Sequence, residues 1–272
     1  MKIKELEKIA FRIRKNIILS LTAAKSGHLG GSLGLADIFT ALYFDILKYQ
    51  AKNPNWEERD RLILSIGHVA PVLYSTLAEA GYFDSSELLS LRKIGSRLQG
   101  HPSIKEKLPG VELAAGSLGQ GLSVSVGLAL AFKMDKKENK VYCILGDGEL
   151  QEGSVWEAAM SASQHQLNNI IAIVDRNYVQ IDGATQKVMN IEPLADKWKA
   201  FGWNVLSCNG NDIEDFINTV NQAKESLQKP NIIIAETVMS KGIPSIEGDY
   251  RWHGKVPSEE EKEIFLKELE TR

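Results

Sequence analysis

Residues 141–160 have the sequence VYCILGDGELQEGSVWEAAM. This stretch begins with an uninterrupted apolar run at 141–145, which predicts a buried β-strand. It ends within an amphipathic segment at 154–165, which predicts a helix. A Gly-Asp-Gly turn centred on Asp147 joins the two. A strand followed at once by a helix is typical of α/β proteins with a parallel sheet.

The same alternation of apolar strands and amphipathic helices extends along the chain. Further strands are predicted at 61–66, 170–174, 203–207 and 232–235, and further helices at 3–22, 35–47, 70–80, 193–201 and 212–227. Loops are predicted at 26–34 and 93–118, and the tail from Glu247 is predicted to be irregular. The pattern indicates a single α/β domain over residues 1–272, with a mostly parallel central sheet and helices on both faces.

Composition narrows the class of protein. The 272 residues carry a formal net charge of −3, which gives no electrostatic basis for binding nucleic acid or an anionic membrane. Charged and apolar residues mix over 1–15, so no signal peptide is predicted. Residues 113–132 lack charges, but their glycines and serines favour a buried helix opened by a Gly-rich loop over a membrane span. Cys143 and Cys208 lack metal-site or disulfide spacing, which favours a reducing, cytoplasmic location.

Polar residues follow the predicted strands, where parallel sheets bind their ligands. Asp147 follows the strand at 141–145, and Asn177 comes 30 residues later, after the strand at 170–174. Carboxylate and amide oxygens are suited to Mg²⁺ or Ca²⁺, with diphosphate oxygens, water and a backbone carbonyl completing the shell. Gly148 would let the backbone approach a diphosphate and donate its N–H. The alternative is an ordinary strand-to-helix turn without a ligand.

Histidines mark a second group of candidate residues. Four of the five stand in glycine-flanked loops, namely His28, His68, His101 and His253. Imidazoles titrate near working pH, so they can hydrogen-bond polar groups of a ligand and move protons. A structural role is the usual interpretation of any one histidine, but four in such loops indicate an active site. His165 ends a predicted helix and is interpreted as structural.

These motifs carry a family resemblance. The spacing of Asp147 and Asn177 resembles the signature of thiamine-diphosphate enzymes. The histidine contexts SGHLGGSLG, SIGHVAPVLY, LQGHP and WHG are similar to those of transketolases. GSLGQG at 116–121 resembles the transketolase loop that lies against the aminopyrimidine, although Ser117 stands where Pro is usual, and its glycine order excludes a dinucleotide fingerprint. The resemblance covers essentially the whole chain but only the first of the three transketolase domains.

The resemblance implies a role for each motif residue. The metal ligands would be Asp147, Asn177 and the carbonyl of Val179. The cofactor would be bound by His68, Gly116, Ser117, Leu118, Gly148, Glu152, Asn177, Lys241 and His253. The catalytic set would comprise His28, His68, His101, His253 and Glu152, with His28 and His101 contacting the sugar.

Glu152 bears on the choice between related families. Transketolases carry a Glu here, in a carboxylate network across the dimer, whereas deoxyxylulose-phosphate synthases usually have Gly. Glu152 and the LQGHP motif therefore favour transketolase. The alternative is a first-turn acid that interacts favourably with the helix dipole. Lys241 follows the last strand and is assigned either to the diphosphate or substrate or to the solvated surface.

The carboxylate that activates the cofactor's pyrimidine has no match in this chain. In this family it comes from the pyrimidine-binding domain. The resemblance therefore implies the N-terminal subunit of a heteromeric transketolase, with a partner chain carrying the pyrimidine-binding and C-terminal domains in an α2β2 assembly. With thiamine diphosphate and Mg²⁺ or Ca²⁺, it would transfer a two-carbon ketol unit from a ketose phosphate to an aldose phosphate.

Three other functions stay open at this point. The first is a split transketolase specialised for a sulfosugar or for an antibiotic pathway. The second is the α subunit of a 2-oxo-acid dehydrogenase, which shares the Asp147 and Asn177 site but is disfavoured by the histidines. The third is a regulatory module that binds the cofactor without turnover.

Overall fold

A central sheet organises the computed structural model, which describes residues 1–271. The strands are β1 (Arg61–Leu64), β2 (Val141–Gly146), β3 (Ile170–Arg176), β4 (Val179–Gln180), β5 (Gly183–Ala184), β6 (Asn204–Asn209) and β7 (Asn231–Glu236). Five of them form one sheet in the order β1-β2-β3-β7-β6. All neighbours in this sheet are parallel, whereas β4 and β5 form a separate antiparallel pair.

Helices pack on both faces of the sheet. One face is covered by α1 (Ile3–Ala24), α2 (Gly30–Gly34), α3 (Ala36–Ala41), α4 (Ala70–Glu79), α9 (Ile213–Lys224) and α10 (Glu259–Glu270). The other is covered by α5 (Gly121–Met134), α6 (Gly153–Gln164) and α8 (Leu194–Ala200), while α7 (Thr185–Val188) follows β5. Within β2, Tyr142 and Ile144 enter the first core, and Cys143 and Leu145 enter the second. A strand buried on both sides explains the uninterrupted apolar run.

The predicted α/β class and its parallel sheet are confirmed. Each of the five predicted strands forms, and β2 lies beside β3 in register from Val141–Ile170 to Gly146–Asp175. The predicted loop at 93–118 lacks regular structure except for a 3₁₀ turn at Ile104–Glu106. Cys143 and Cys208 are buried and free, in β2 and β6.

The predicted loop at 26–34 is wrong in its second half, because Gly30–Gly34 is a helical turn. Glycine disfavours helix in isolation. Here the absence of side chains allows close packing, since a Cβ on Gly30 would lie 2.6 Å from the Met239 Cγ. The predicted helix at 35–47 is also divided, with α3 continuing into a π-helical turn at Leu42–Ile46.

The irregular tail predicted from Glu247 is wrong over its last part, which forms α10. Ser258 accepts the N–H of Glu261, and Glu261 accepts the N–H of Ser258, so the helix begins with a complete capping box. Phe265 and Leu269 are buried in the core on the α1 side. The sequence does carry this Ser-x-x-Glu signal.

The charge-free stretch at 113–132 becomes a loop followed by α5. The expected Gly-rich opening is confirmed, but burial of the helix is incomplete, because Ser123, Val124 and Gly127 are exposed. Within residues 1–271, no helix combines the length and the apolar character needed to cross a membrane.

Candidate active site

A cavity of about 360 Å³ opens at the carboxyl ends of β1, β2 and β3. The segments that follow these strands line it, together with the loop before α5, the His28–Gly31 segment and residues Met239 and His253. Parallel strands bring their carboxyl ends to one edge of the sheet, so residues distant in sequence meet there. All four predicted active-site histidines line this cavity.

Three of these histidines form one cluster. The ring centroids of His28 and His68 are 5.0 Å apart, those of His68 and His253 are 5.2 Å apart, and those of His28 and His253 are 5.6 Å apart. Burial and, secondarily, the neighbouring imidazoles lower the pKa of His68 to about 3. Burial likewise lowers the pKa of His28 to about 4 and lowers the pKa of His253. The cluster is therefore uncharged at neutral pH.

Two nitrogens of this cluster are buried without a partner. The Nδ1 atoms of His28 and His253 make no hydrogen bond to the described chain. Leaving a buried polar atom unpaired costs about 1–3 kcal/mol, so such atoms indicate a missing ligand or water. His101 lies apart on the exposed rim, where burial and then Arg92 lower its pKa. His165 lies at the end of α6, exposed, as expected for a structural residue.

Asp147 is held firmly at the end of β2. Its Oδ1 accepts the N–H of Gly148 at 2.7 Å, and its Oδ2 accepts the N–H of Tyr178 and a guanidinium N–H of Arg176, both at 2.8 Å. Asp147 is 2% exposed, and burial raises its pKa against the opposing effect of Arg176. Because Gly148 donates to Asp147, its N–H is not directed to a diphosphate in this arrangement.

Asn177 and Val179 stand next to Asp147 in the cavity wall. The Nδ2 of Asn177 donates to Asp175 at 3.0 Å, and its Oδ1 accepts the N–H of Val179 at 3.1 Å. Asp175 is fixed in turn by the hydroxyl of Thr237. Burial, with Asp147 nearby, raises the pKa of Asp175 to about 7.

These oxygens fit a metal bound together with a diphosphate. Among residues 1–271, no three His, Cys, Asp or Glu side chains could hold a metal ion by themselves. The candidate set instead has one carboxylate, one amide and one carbonyl, and each carboxylate or amide oxygen has more than one lone pair. Asp147 Oδ1 and Asn177 Oδ1 each accept a single N–H. Oxygens from a ligand would have to complete the shell.

Glu149 is a site residue that the sequence reasoning missed. It is 2% exposed, and its carboxylate accepts the Ser65 hydroxyl, the Gly119 N–H at 2.7 Å and the Gly146 N–H at 3.1 Å. Burial raises its pKa. Glu149 thus connects the Gly-rich loop at 116–121 to the ends of β1 and β2. Its position directly after Gly-Asp-Gly was the one available signal.

The Gly-rich loop packs closely on the end of β1. A Cβ on Gly67 would lie 1.9 Å from the carbonyl oxygen of Ala115, so only glycine permits this approach. Gly119 has φ +80°, which favours glycine. Gly116 and Leu118 line the main cavity, whereas Ser117 lies in an adjoining hollow beside His101.

Of the two remaining predicted site residues, one lies in the cavity and the other does not. Glu152 lines the cavity and is exposed. Lys241 is not brought to the cavity, since it lies in a separate groove with Lys4 and Arg14, and its Nζ is 3.8 Å from Glu247. The assignment of Lys241 to the cofactor has no support from this geometry, and the solvated-surface alternative fits better.

The fold is the α/β fold of thiamine-diphosphate-binding domains. Residues 7–269 match the domain described as "Transketolase, thiamine diphosphate binding domain". The chain belongs to the transketolase family, which confirms the resemblance.

Relatives divide into two sizes. The chain is 42% identical over 272 residues to a subunit of the apulose-4-phosphate transketolase of Phocaeicola vulgatus, covering 100% of this chain and 96% of that protein. It is 42% identical over 269 residues to "6-deoxy-6-sulfo-D-fructose transketolase subunit SqwG" of Clostridium sp. strain MSTE9, covering 97% and 98%. It is 39% identical over 269 residues to human transketolase, covering 98% of this chain but 42% of that protein.

The fold agrees with these relationships. The crystal structure of transketolase from Campylobacter jejuni superposes with a TM-score of 0.93 at 38% identity. The match covers 99% of this chain and 43% of that one. The chain thus spans less than half of a full-length transketolase but nearly all of the proteins named as transketolase subunits.

Proposed function

We propose that this chain is the thiamine-diphosphate- and metal-binding subunit of a two-subunit transketolase. The single observation that carries the proposal is the meeting, in one cavity, of the Asp147 and Asn177 oxygens with four histidines. The reaction would be transfer of a two-carbon ketol unit from a ketose phosphate to an aldose phosphate. The 2-oxo-acid dehydrogenase alternative is disfavoured, because the relatives are named as transketolases.

The diphosphate end of the cofactor would lie at the carboxyl ends of β2 and β3. Asp147, Asn177 and the Val179 carbonyl would hold Mg²⁺ there, with diphosphate oxygens in the remaining positions. When bound, thiamine diphosphate supplies a stabilised carbanion for ketol transfer. The chain's own contribution at this end is positioning. Asp147 accepts N–H groups of Arg176 and Tyr178, and the Asn177 amide nitrogen donates to Asp175.

The histidine cluster would face the sugar and the reacting end of the cofactor. Neutral imidazoles can both donate and accept, which suits recognition of vicinal hydroxyl groups. The Nδ1 atoms of His28 and His253 have no hydrogen-bond partner within the described chain. His101, on the exposed rim, would contact the sugar as it enters. We therefore assign binding of sugar hydroxyls and proton transfer at the carbonyl to this cluster.

A partner chain would complete the site. It would carry a pyrimidine-binding domain with the activating Glu, in an α2β2 assembly of closed symmetry. Two relatives of nearly the same length are named as transketolase subunits, which supports a separate partner. Exposed Glu152 at the cavity rim would face that assembly's carboxylate network.

The donor sugar distinguishes two versions of this function. Relatives at 42% identity are named for apulose-4-phosphate and for 6-deoxy-6-sulfo-D-fructose, so a specialised ketose is a specific alternative to the common sugar phosphates. The test is to assemble the enzyme with its partner and measure ketol transfer from fructose 6-phosphate, apulose 4-phosphate and 6-deoxy-6-sulfofructose. Transfer from any donor that requires thiamine diphosphate and Mg²⁺ supports the proposal. No transfer, together with no cofactor binding, would overturn it.

A further inference from the structure

A buried arginine touches the carboxylate proposed as the metal ligand. Arg176 ends β3 and is 1% exposed. Its Nη1 donates to Asp147 Oδ2 at 2.8 Å, and its Nη2 donates to Glu192 at 2.6 Å. The ring of Tyr178 covers the guanidinium at 4.0 Å. The arginine is therefore sealed from solvent against the metal-ligand side of the cavity.

This contact gives the two carboxylate oxygens of Asp147 different numbers of hydrogen bonds. Oδ2 accepts two N–H groups, from Arg176 and Tyr178, whereas Oδ1 accepts one, from Gly148. A carboxylate oxygen offers about two acceptor positions, so Oδ2 is filled and Oδ1 retains one. Arg176 thus fixes which oxygen of Asp147 is left for a cation.

The same contact lowers the net negative charge at the proposed cation position. Asp147 is the one charged member of the proposed ligand set, since Asn177 and the Val179 carbonyl are neutral. The guanidinium offsets that negative charge. It also pairs with Glu192, but the Glu192 side chain is 38% exposed and solvent screens it more strongly. The carboxyl of Asp175, which accepts the Asn177 amide, is the other acid beside this set, and within residues 1–271 no three His, Cys, Asp or Glu side chains form a metal site by themselves. Charges at such short range interact strongly in a buried site. A divalent cation alone therefore gains less attraction here than an unpaired Asp147 would give it, whereas a diphosphate would bring its own negative charge.

We propose that Arg176 makes metal binding depend on the diphosphate, by holding Asp147 in the ligand position while offsetting its charge. This inference rests on the proposed function, because it assumes the Asp147 and Asn177 metal site. Arg176 acts through Asp147 and is a positioning residue. In thermodynamic terms, it increases the reciprocal coupling between metal and cofactor.

The experiment measures Mn²⁺ binding by electron paramagnetic resonance of the free ion, with and without thiamine diphosphate. Arg176→Gln removes the charge and leaves an amide donor on a shorter side chain. It is expected to bind Mn²⁺ alone at least about tenfold more tightly than the wild type. Arg176→Lys keeps the charge and is expected to stay near the wild-type value. Arg97→Gln is the matched control, since Arg97 pairs with Glu87 on the surface. Asp147→Asn defines binding at unrelated sites.

A second variant keeps the test decisive if Arg176→Gln does not fold. Glu192 is partly exposed and balances the other side of Arg176, so Glu192→Gln is expected to lower the affinity for Mn²⁺ alone. Unchanged or tighter binding in that variant would overturn the proposal, as would an unchanged affinity in folded Arg176→Gln. If the wild type assembled with its partner binds no thiamine diphosphate with Mn²⁺, the proposed function fails instead.

Discussion

At the scale of single residues, buried charged side chains of the site form ion pairs with one another. The Asp147 and Arg176 side chains are 3% and 2% exposed, and the pair is linked onward to Glu192. Removing one partner of such a pair leaves an uncompensated buried charge, which is more costly than losing a surface ion pair. Substitutions at Asp147 therefore report on stability as well as on metal binding.

The first prediction separates these two effects. Asp147→Asn is expected to abolish metal-dependent cofactor binding and to lower the free energy of unfolding by about 3 kcal/mol, because Arg176 loses its buried partner. Asn177→Ala is expected to abolish the same binding at a smaller cost of about 1 kcal/mol. Calorimetry with Mg²⁺ and thiamine diphosphate on the assembled enzyme, and urea unfolding of the apo chain, measure the two effects. Asp196→Asn, in an exposed ion pair, is the control.

If both site variants bind metal and cofactor like the wild type, the metal assignment is wrong. From the sequence alone, Asp147→Ala and Asn177→Ala are predicted to abolish metal-dependent cofactor binding with little loss of fold. The buried Arg176 contact is the reason to expect otherwise for Asp147.

The second prediction concerns pH. The pKa of His68 is lowered from 6.5 to about 3, so the unfolded chain binds a proton first as the pH falls. Above about pH 6.5 this group does not affect stability, and between that value and about pH 3 it lowers the free energy of unfolding. His68→Gln is expected to reduce the loss of stability between pH 7.5 and 5.5 by about 1 kcal/mol. Urea unfolding at both pH values measures it, with exposed His165→Gln as the control. An equal loss in wild type and variant would contradict a neutral buried His68.

At the scale of elements, the sequence predicted the strands, whose positions depend on the local pattern of apolar residues. Apolar runs located the strands, and polar residues that follow β1, β2 and β3 in the sequence line one cavity in the structure. Helix α2 was missed because glycine has a low helix propensity. Its glycines are explained by close packing against Met239 and Val69, which the sequence does not show. Glu149 and Arg176 were missed because their partners Ser65 and Glu192 come from elsewhere in the chain, and a single sequence does not reveal such pairs.

The third prediction tests how Glu149 connects elements. Both of its oxygens accept hydrogen bonds, so Glu149→Gln must turn an amide donor toward either Gly146 or the Gly119 and Ser65 pair. We expect a loss of about 1–3 kcal/mol in the free energy of unfolding. We also expect faster hydrogen exchange at the Gly119 amide and weaker cofactor affinity. Exposed Glu225→Gln is the matched control. Wild-type exchange at Gly119 in the variant would show that Glu149 does not hold the loop.

At the scale of the whole molecule, the carboxylates that line the cavity differ in their hydrogen bonding. Four carboxylates of the described chain line it, and three of them, Asp147, Glu149 and Asp175, are hydrogen-bonded to the chain. The fourth, Glu152, is exposed. Ile181 also lines the cavity and is 63% exposed. Glu152 and Ile181 are therefore exposed side chains of the cavity wall that the proposed partner would cover.

The fourth prediction is that this chain alone has no transketolase activity and that a partner with a pyrimidine-binding domain restores it. The three hydrogen-bonded carboxylates already accept hydrogen bonds from this chain. Activation of the cofactor needs a further carboxylate at its pyrimidine. The purified chain is assayed with a ketose donor, an aldose acceptor, Mg²⁺ and thiamine diphosphate, with and without the partner. Glu152→Gln serves as the control for the remaining acid. Turnover that scales with this chain in material shown by mass spectrometry to lack the partner would sink the split-enzyme proposal. If Glu152→Gln then abolished that turnover, the activating carboxylate would be Glu152 itself.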